Sequence, residues 1–267
     1  MADIQLDSLI TAVTNSPKYR YISPDLIRRI GERELSVRHS PKEAIKATKN
    51  KLHQIGGAYL DTKIDYAKAL RQLEDAAPSA ILLQSACRDL MNLHASTRER
   101  LPIIDKFYDQ IFAEMAPVRT VLDVASGLNP LAIPWMPLAE NAVYYACDIY
   151  ADMMNFLHDA MLVLGVEART EVRDVVGSPP TQPVDLALIL KTLPVLEMVD
   201  KTAVSHLLDT IQAHHLLITF PVRSLGGRSK GMIDNYTSQF NNWAAARKWQ
   251  IKSFTFATEL AFLVTNK

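Results

Sequence analysis

The sequence lacks the features that mark several large classes of protein. Two cysteines, Cys87 and Cys147, are too few for a disulfide framework or a zinc finger, and no H-x-E, C-x-x-C or H-E-x-x-H pattern occurs. No apolar run approaches the roughly 20 residues that a membrane-spanning helix needs. The opening MADIQLDSLIT carries two aspartates and no basic segment, unlike a secretory signal. We therefore expect a reduced, cytoplasmic protein with no metal and no membrane partner.

Net charge is absent as well, because 29 basic residues balance 29 acidic ones. The distribution along the chain is nevertheless uneven. Residues 16–60 carry ten Lys/Arg against four acids, a net charge of +6, and residues 222–253 carry six against one, a net charge of +5. Two basic segments on a neutral protein are typical of a localised contact with a polyanion. Two solvated helix faces would give the same counts, so charge alone leaves both interpretations open.

The first hundred residues predict helices. Ser23 and Ser40 each precede a proline, which combines an N-cap with a favoured first-turn residue, and Glu43 completes a capping box with Ser40. The helix after Ser40 should end at Gly56-Gly57. It carries three lysines on one face, at positions i, i+4 and i+7: Lys42, Lys46 and Lys49.

Two further helices are expected before residue 117. One covers residues 79–92, and the other begins at a second capping box that runs from Ser96 to Glu99. In this interpretation His94 and Ala95 lie in the turn that joins the two helices.

After Pro117 short β-rich runs alternate with helical stretches. The runs are TVLDVA, VYYACDI, ARTEVRDV, DLALILK and HLLITFP, and the tail IKSFTFATELAFLVTN predicts two strands around a turn. Strands that alternate with helices indicate βαβ units and a mostly parallel sheet. The sequence therefore predicts an α/β fold with a doubly wound sheet and one antiparallel strand at its edge.

The most informative local feature is the turn in VLDVASGLNP, where an apolar strand ends at Ala125, Ser126 and Gly127. Such a side-chain-poor turn lets a ligand approach the backbone at the end of a first strand. Asp148 follows Gly127 by 21 residues, a spacing at which an acid commonly binds ribose hydroxyls. The G-x-G-x-x-G fingerprint is absent, which favours a cofactor without a pyrophosphate, such as S-adenosylmethionine (SAM). An ordinary strand-to-helix turn and a helix N-cap are the structural alternatives.

Three later segments fall at predicted strand ends. Asp174 and Val175 follow the third strand, where an adenine ring would lie, and Lys191 ends the fourth strand at the ligand-binding edge. The fifth strand leads into FPVRSLGGRSKGM, a basic segment suited to a nucleic-acid substrate. A loop aspartate, a helix-capping lysine and a solvated loop are the structural alternatives.

Six blocks of the sequence together resemble the aminoglycoside-resistance 16S ribosomal RNA methyltransferases of the Arm/Rmt group. The blocks are KYRYISPDLIRRI, KLHQIGGAY, LHASTRERL, LDVASGLNP, LILKTLPVLE and FPVRSLGGRSKGMIDNY, and they span about residue 16 to the C-terminus. One departure is Ser126, where the group tends to have cysteine. The resemblance implies SAM-dependent methylation of N7 of guanine 1405 in 16S rRNA, which gives aminoglycoside resistance.

The resemblance also implies an organisation of the chain. Residues 1–93 would form a helical domain that docks on the 30S subunit, and residues 94–267 would form a Rossmann-like methyltransferase domain. The protein is expected to act as a monomer on 16S rRNA within the 30S subunit. The expected RNA contacts come from both basic segments: Lys18, Arg20, Arg28, Lys42, Lys46, Lys49, Arg223, Arg228 and Lys230.

Roles for individual residues at the cofactor site follow from the same resemblance. Arg100 would pair with the methionine carboxylate, Asp148 would hold the ribose, and Asp174 and Val175 would hold the adenine. Lys191, the expected catalytic residue, would lie beside the methyl group and the target base. The full set of implied cofactor contacts is Tyr59, His94, Ala95, Ser96, Arg100, Ala125, Ser126, Gly127, Asp148, Asp174, Val175 and Leu190.

Two other functions are compatible with the sequence. A SAM-dependent enzyme for a small molecule would need no basic segments and no ribosome. A non-catalytic protein that retained the fold would bind 30S subunits without transferring a methyl group. Transfer to guanine N7 itself needs no general base, because N7 already has a free lone pair, so orientation would be the enzyme's main contribution.

Overall fold

The computed structural model describes residues 2–57, 59, 63–222 and 231–266, and it begins with three helices that share a small core. These are α1 (Ala2–Thr14), α2 (Pro24–Val37) and α3 (Pro41–Leu52). The predicted caps are present: Ser23 Oγ accepts from the Leu26 N–H at 3.4 Å, and Ser40 Oγ accepts from the Glu43 N–H at 3.3 Å. A π-helical turn, His53–Gly57, follows α3, so the α-helix ends at Leu52, four residues before Gly56, and the π-helical turn continues to the predicted Gly56-Gly57 limit.

The next two helices, α4 (Tyr66–Ala76) and α5 (Ala80–Met91), pack in a different core. Leu73 and Met91 are fully buried in a cluster that also contains Tyr144 and Leu186 of the sheet. The hydrophobic packing thus joins α4 and α5 to the sheet, whereas α1 to α3 have a core of their own. The domain boundary at residue 93 stays a prediction.

The helix that follows begins earlier than its predicted capping box. Helix α6 spans Ala95–Arg100 with His94 at the N-cap, and a 3₁₀ turn, Leu101–Ile103, leads into α7 (Ile104–Phe112). The prediction that Ser96 caps this helix is wrong. The His94 carbonyl already accepts from the Arg98 N–H at 2.9 Å, and the Thr97 hydroxyl donates back to the Met91 carbonyl at 2.5 Å. These bonds close a helical turn over the segment that was expected to be a loop.

Seven strands form one sheet in the order β3-β2-β1-β4-β5-β7-β6. They are β1 (Val118–Val124), β2 (Leu138–Asp148), β3 (Glu167–Val172), β4 (Val184–Leu190), β5 (Ala213–Pro221), β6 (Trp249–Thr255) and β7 (Glu259–Asn266). Neighbours among β1 to β5 are parallel, and β7 is antiparallel to both β5 and β6. The antiparallel strand therefore lies inside the sheet, and the edge position predicted for it is wrong. The apolar run of β7 is buried on both faces, whereas β6 is largely exposed and suits the edge.

Helices cover both faces of the sheet. After β2 comes α8 (Ala151–Val163), after β4 come α9 (Leu193–Val199) and α10 (Ala203–Thr210), and after β5 comes α11 (Met232–Ala244). Alternate strand residues contribute to two separate apolar clusters, one on each face. The strand order reverses between β1 and β4, and open sheets bind ligands beyond the carboxyl ends of the strands at such a point. Among the described residues, no helix is both long enough and apolar enough to cross a membrane.

Candidate functional site

A cavity opens at the carboxyl ends of the strands, where β1 and β4 lie side by side. It brings together almost the whole predicted cofactor set. The predicted residues that line it are Tyr59, His94, Ser96, Arg100, Ala125, Ser126, Gly127, Asp148, Asp174, Val175, Leu190 and Lys191. Ala95 does not line the cavity; it is buried, and its N–H donates to the Tyr59 carbonyl at 2.9 Å.

Two strands leave the sheet through left-handed backbone at this cavity. Ala125 follows β1 with a φ of 52°, and Lys191 follows β4 with a φ of 60°. Non-glycine residues in this region are uncommon and cluster at functional sites, because their strain must be balanced by the surrounding structure. Gly127 also has a positive φ, and a Cβ added there would lie 2.7 Å from the His94 ring. The turn after β1 therefore requires glycine and packs tightly against the predicted His94 turn.

Asp148, at the end of β2, organises the same turn. Its Oδ2 accepts from the Gly127 N–H at 2.9 Å, and its Oδ1 accepts from the Ile149 N–H at 2.6 Å. Burial raises the pKa of this carboxyl group, and the backbone bonds oppose that shift. A carboxylate offers about four lone-pair positions, so about two remain for a ligand. The side chain can fix the turn and bind hydroxyl groups at the same time.

A buried network of charges adjoins the cavity at Arg100. Arg100 is fully buried, and its Nη2 donates to Glu259 Oε2 at 3.0 Å. Its Nη1 donates to Asn129 Oδ1 at 2.7 Å, and its Nε lies 3.0 Å from Glu259 Oε1. Burial opposes ionisation of Arg100, and the negative charge of Glu259 offsets this and raises the pKa above its ordinary value. Arg100, which was predicted to bind the methionine carboxylate, is thus already paired with a carboxylate of the protein, Glu259 of β7.

Lys191 belongs to this network too. Its Nζ donates to the Ser96 carbonyl at 2.6 Å and to Glu99 Oε2 at 2.9 Å, and it lies 3.3 Å from Glu259 Oε1. All three contacts are with acceptor oxygens, so Nζ serves as a hydrogen-bond donor in this arrangement. The side chain braces α6 against β7, and the predicted catalytic role for Lys191 stays a prediction.

Sequence reasoning missed the polar layer beneath Arg100. Asn129 Nδ2 donates to Asp123 Oδ2 at 2.8 Å, and the Tyr144 hydroxyl donates to the same oxygen at 2.8 Å. Burial raises the pKa of Asp123 from 3.8 to about 7. A single acid inside the apolar run VLDV was the available signal for Asp123, and a single acid before the apolar run LAFLV was the signal for Glu259.

The N-terminal helices also contribute to the cavity, which the sequence analysis did not predict. Leu26 and Arg29 of α2 line it, together with Ile55 and Gly56 of the π-helical turn. Arg29 had been counted only as part of the basic segment. Its guanidinium instead forms a two-point ion pair with Asp174, the predicted adenine ligand.

The predicted RNA contacts fall into three groups. Five are exposed on the N-terminal region: Lys18, Arg20, Arg28, Lys42 and Lys46. Lys49 is half-buried and its Nζ donates to Ser16 Oγ at 2.6 Å, so it does not share the free surface of the other two α3 lysines. Three lie outside the described residues: Arg223, Arg228 and Lys230.

Within the part of the chain that the structure describes, no group of three or more His, Cys, Asp or Glu side chains is placed to hold a metal ion. Both cysteines are buried and unpaired with each other. Burial raises the pKa of each thiol to about 12, so neither is disposed to form a thiolate ligand.

Comparisons with known proteins agree on one family. The model of the family described as ribosomal RNA methyltransferase (FmrO) matches residues 15–263. A 16S rRNA (guanine(1405)-N(7))-methyltransferase of Micromonospora echinospora is 38% identical over 97% of this chain and 96% of its own length. The enzyme of the same name from Frankia casuarinae is 40% identical over 97% of this chain and 93% of its own length.

A solved structure agrees with these sequence matches. The crystal structure of the 16S rRNA methyltransferase RmtF in complex with S-adenosyl-L-homocysteine (SAH) superposes with a TM-score of 0.81. The two chains are 32% identical, and the match covers 100% of this chain and 98% of the other. This chain belongs to the FmrO family of ribosomal RNA methyltransferases.

Proposed function

We propose that this protein transfers a methyl group from SAM to N7 of guanine 1405 of 16S rRNA and thereby gives aminoglycoside resistance. The observation that carries the proposal is the cavity at the β1–β4 edge, which collects the predicted cofactor residues of a family whose members bear this activity in their names. Assembled 30S subunits are the proposed substrate, and a cytoplasmic monomer is the proposed acting form, since the ribosomal substrate lies in that compartment.

The polar groups at the cavity fit SAM. Two lone-pair positions of Asp148 remain for the ribose hydroxyls. A guanidinium has five N–H donors, and three of those of Arg100 face Asn129 and Glu259, which leaves two for the methionine carboxylate. The turn at Ala125 to Gly127 offers backbone without bulky side chains. Tyr59 and His94 are stacked at 5.8 Å between ring centroids and close the side of the cavity near α6.

Bound SAM supplies an activated methyl group on a sulfonium. The chain has to hold that group in line with N7, which already carries a lone pair and no proton, so no residue has to remove one. Leu190 and Lys191 lie at the strand end beside the cavity, and the bonds from Lys191 to the Ser96 carbonyl and to Glu99 hold α6 against the end of β4. Orientation of this kind supplies a large share of a barrier reduction without acid–base chemistry. The target base lies within folded RNA and would be extruded for reaction.

Recognition of the ribosome is assigned to the exposed basic side chains of α2, α3 and the segment between α1 and α2. Arg28, Lys42 and Lys46 are exposed and do not line the cavity, so phosphate contacts with them leave the cavity open. Such contacts position the protein and make binding sensitive to salt.

The test is methyl transfer from radiolabelled SAM to 30S subunits, 50S subunits and naked 16S rRNA, with mapping of the modified base. We expect label only on guanine 1405 and a faster reaction with 30S subunits than with naked RNA. Equal rates on both substrates would contradict the choice of 30S. Methylation of a small molecule, or ribosome binding without transfer, would each favour one of the two alternatives.

A cellular test follows from the same chemistry. A susceptible bacterium that expresses the protein should resist gentamicin and kanamycin and stay sensitive to streptomycin. Methylation replaces an acceptor with a methyl group and a fixed positive charge, which repels a polycationic drug that contacts N7. Cells that express Asp148→Ala serve as the control and should stay sensitive to all three drugs.

A further inference from the structure

The ion pair between Arg29 and Asp174 joins the N-terminal helices to the cofactor cavity. Arg29 Nε donates to Asp174 Oδ2 at 2.5 Å, and Nη2 donates to Asp174 Oδ1 at 3.0 Å. The Asp174 side chain is 6% exposed and that of Arg29 is 29% exposed, and both residues line the cavity. Bidentate pairs of this kind fix the orientation of the carboxylate as well as its charge.

Helix α2 is held against the cavity at further points. The Ser23 N–H donates to the Ile149 carbonyl at 2.8 Å, and the Ala151 N–H donates to the Tyr21 carbonyl at 2.8 Å. Arg33, one turn beyond Arg29, donates to the Val199 carbonyl at 3.0 Å. The chain just before α2 thus contacts the turn after β2, α2 itself contacts the end of α9, and Arg29 lies between these contacts.

The remaining hydrogen-bonding capacity of Asp174 can be counted. Oδ1 accepts from Arg29 and from the Val176 N–H, the latter at 3.2 Å. Among the residues that the structure describes, Oδ2 accepts from Arg29 alone. With two lone pairs on each oxygen, one position on Oδ2 remains for an N–H donor of a ligand. The 6-amino group of adenine is a donor of this kind, whereas the 6-oxo group of hypoxanthine would place an acceptor against a carboxylate.

We propose that Arg29 is a positioning residue of the cofactor site, which holds the Asp174 carboxylate so that its free Oδ2 lone pair selects a 6-aminopurine. The proposal rests on the assignment of this cavity to SAM. It gives the N-terminal helices a part in cofactor recognition, in addition to the ribosome docking proposed above. Arg29 contacts Asp174, and it reaches the adenine only through that residue.

The test compares two ligands, SAH and its 6-oxo analogue S-inosyl-L-homocysteine, by calorimetry on the full chain. The wild-type protein should bind SAH about tenfold or more tightly than the analogue, since a hydrogen bond to a charged group is worth at least a decade in affinity. Arg29→Gln should lower this ratio to about threefold or less, because the carboxylate loses its fixed orientation. Arg29→Lys keeps the charge but not the two-point geometry, and should give an intermediate ratio.

Arg33→Gln is the matched control, because Arg33 ties the same helix to the cavity wall without touching Asp174. Its ratio should equal that of the wild type. If Arg29→Gln weakens both ligands by the same factor, Arg29 is only a structural tie and the proposal is wrong. Should Arg29→Gln fail to fold, an unchanged ratio in Arg29→Lys would overturn the proposal equally. A wild-type protein that binds neither ligand would instead refute the assignment of the cavity to SAM.

Discussion

Basic residues have opposite environments in the N-terminal helices and at the carboxyl edge of the sheet. Lys42 and Lys46 on α3 are exposed, whereas Arg100 and Lys191 are buried and face several acceptors each. Exposed charges contribute little to stability and remain available to phosphate groups. Buried charges must be neutralised within the fold, because an unpaired charge in the interior is costly. In our proposal the same residue type therefore serves RNA binding in one region and stabilises the fold in the other, and Arg29 has an intermediate environment because it is partly exposed and paired with a buried acid.

The largest effect is expected from removing the buried partner of Arg100 and Lys191. Glu259→Gln leaves two buried cations without their common carboxylate, and should lower the free energy of unfolding by about 3 to 5 kcal/mol. Glu99→Gln is the control, because Glu99 is partly exposed and shares Lys191 with Glu259, and should cost about 1 kcal/mol or less. Urea denaturation measures both. If both variants lost the same free energy of unfolding, the expectation that the buried Glu259 contributes more than the partly exposed Glu99 would be wrong.

Asp123 should make the free energy of unfolding depend on pH. Its pKa rises from 3.8 to about 7 on folding, so between these values the native state retains a proton that the unfolded state has lost. Its contribution to stability is therefore complete below about pH 4 and is lost as the pH rises to about 7.

Asparagine stays neutral throughout this range, so Asp123→Asn should not lose stability as the wild type does. From pH 5 to pH 8 the free energy of unfolding of the variant should therefore rise by about 3 kcal/mol relative to the wild type. This is the two pH units between 5 and the pKa of about 7, at about 1.4 kcal/mol each. Thermal or urea unfolding at both pH values checks this. Asp109→Asn, which changes an exposed acid on α7, should show no such increase. A pH-independent difference for Asp123→Asn would contradict an elevated pKa.

Asp148→Ala should weaken SAH binding about a hundredfold or more. The variant loses the acceptors for the ribose, each worth about 1.5 to 3 kcal/mol as a charge-assisted bond, and it releases the Gly127 turn. Asp148→Asn retains one oxygen and the shape of the side chain, and should lose less. Calorimetry that gives an unchanged dissociation constant for a folded Asp148→Ala would remove this residue from the site.

The sequence predicted the elements better than their contacts. Caps at Ser23 and Ser40 are local, since each side chain bonds three residues ahead, and both were predicted correctly. The start of α6 was not, because the His94 carbonyl accepts from the Arg98 N–H and the Thr97 hydroxyl donates back to the His94 and Met91 carbonyls, so the helix begins before Ser96. Local patterns can indicate a strand end, but they cannot show which side chains meet there.

The candidate site illustrates the same limit. The proximity of Gly127 and Asp148 is predictable, because neighbouring parallel strands end at the same edge of the sheet. The Gly127 N–H does donate to the Asp148 side chain. Glu259 pairs with Arg100 across 159 positions of sequence, and Arg29 pairs with Asp174 across 145. Both pairs follow from the placement of β7 inside the sheet and of α2 against the cavity, and neither placement leaves a periodic signal.

The smallest effect is expected on the N-terminal surface. Reversal of Lys42 and Lys46 to glutamate should weaken binding to 30S subunits about tenfold at moderate salt and leave SAH binding unchanged. If each lysine contacts one phosphate, the log–log slope of affinity against salt should fall by about two units. Lys49→Glu should weaken 30S binding less than Lys42→Glu or Lys46→Glu alone, because the Lys49 ammonium is already bound to Ser16.

The control for this surface is reversal of Lys106 and Lys201, two exposed lysines outside the basic segments. It changes the net charge of the protein by the same amount. If binding depended on net charge, both double variants would weaken it alike and with the same change in salt slope. If the exposed face of α3 meets the RNA, only the Lys42 and Lys46 reversal changes the slope, because only contacts with phosphates release counterions. Equal slopes in the two variants would mean that the exposed face of α3 is only solvated and does not contact RNA. The assignment of the cofactor cavity would not be affected by that result.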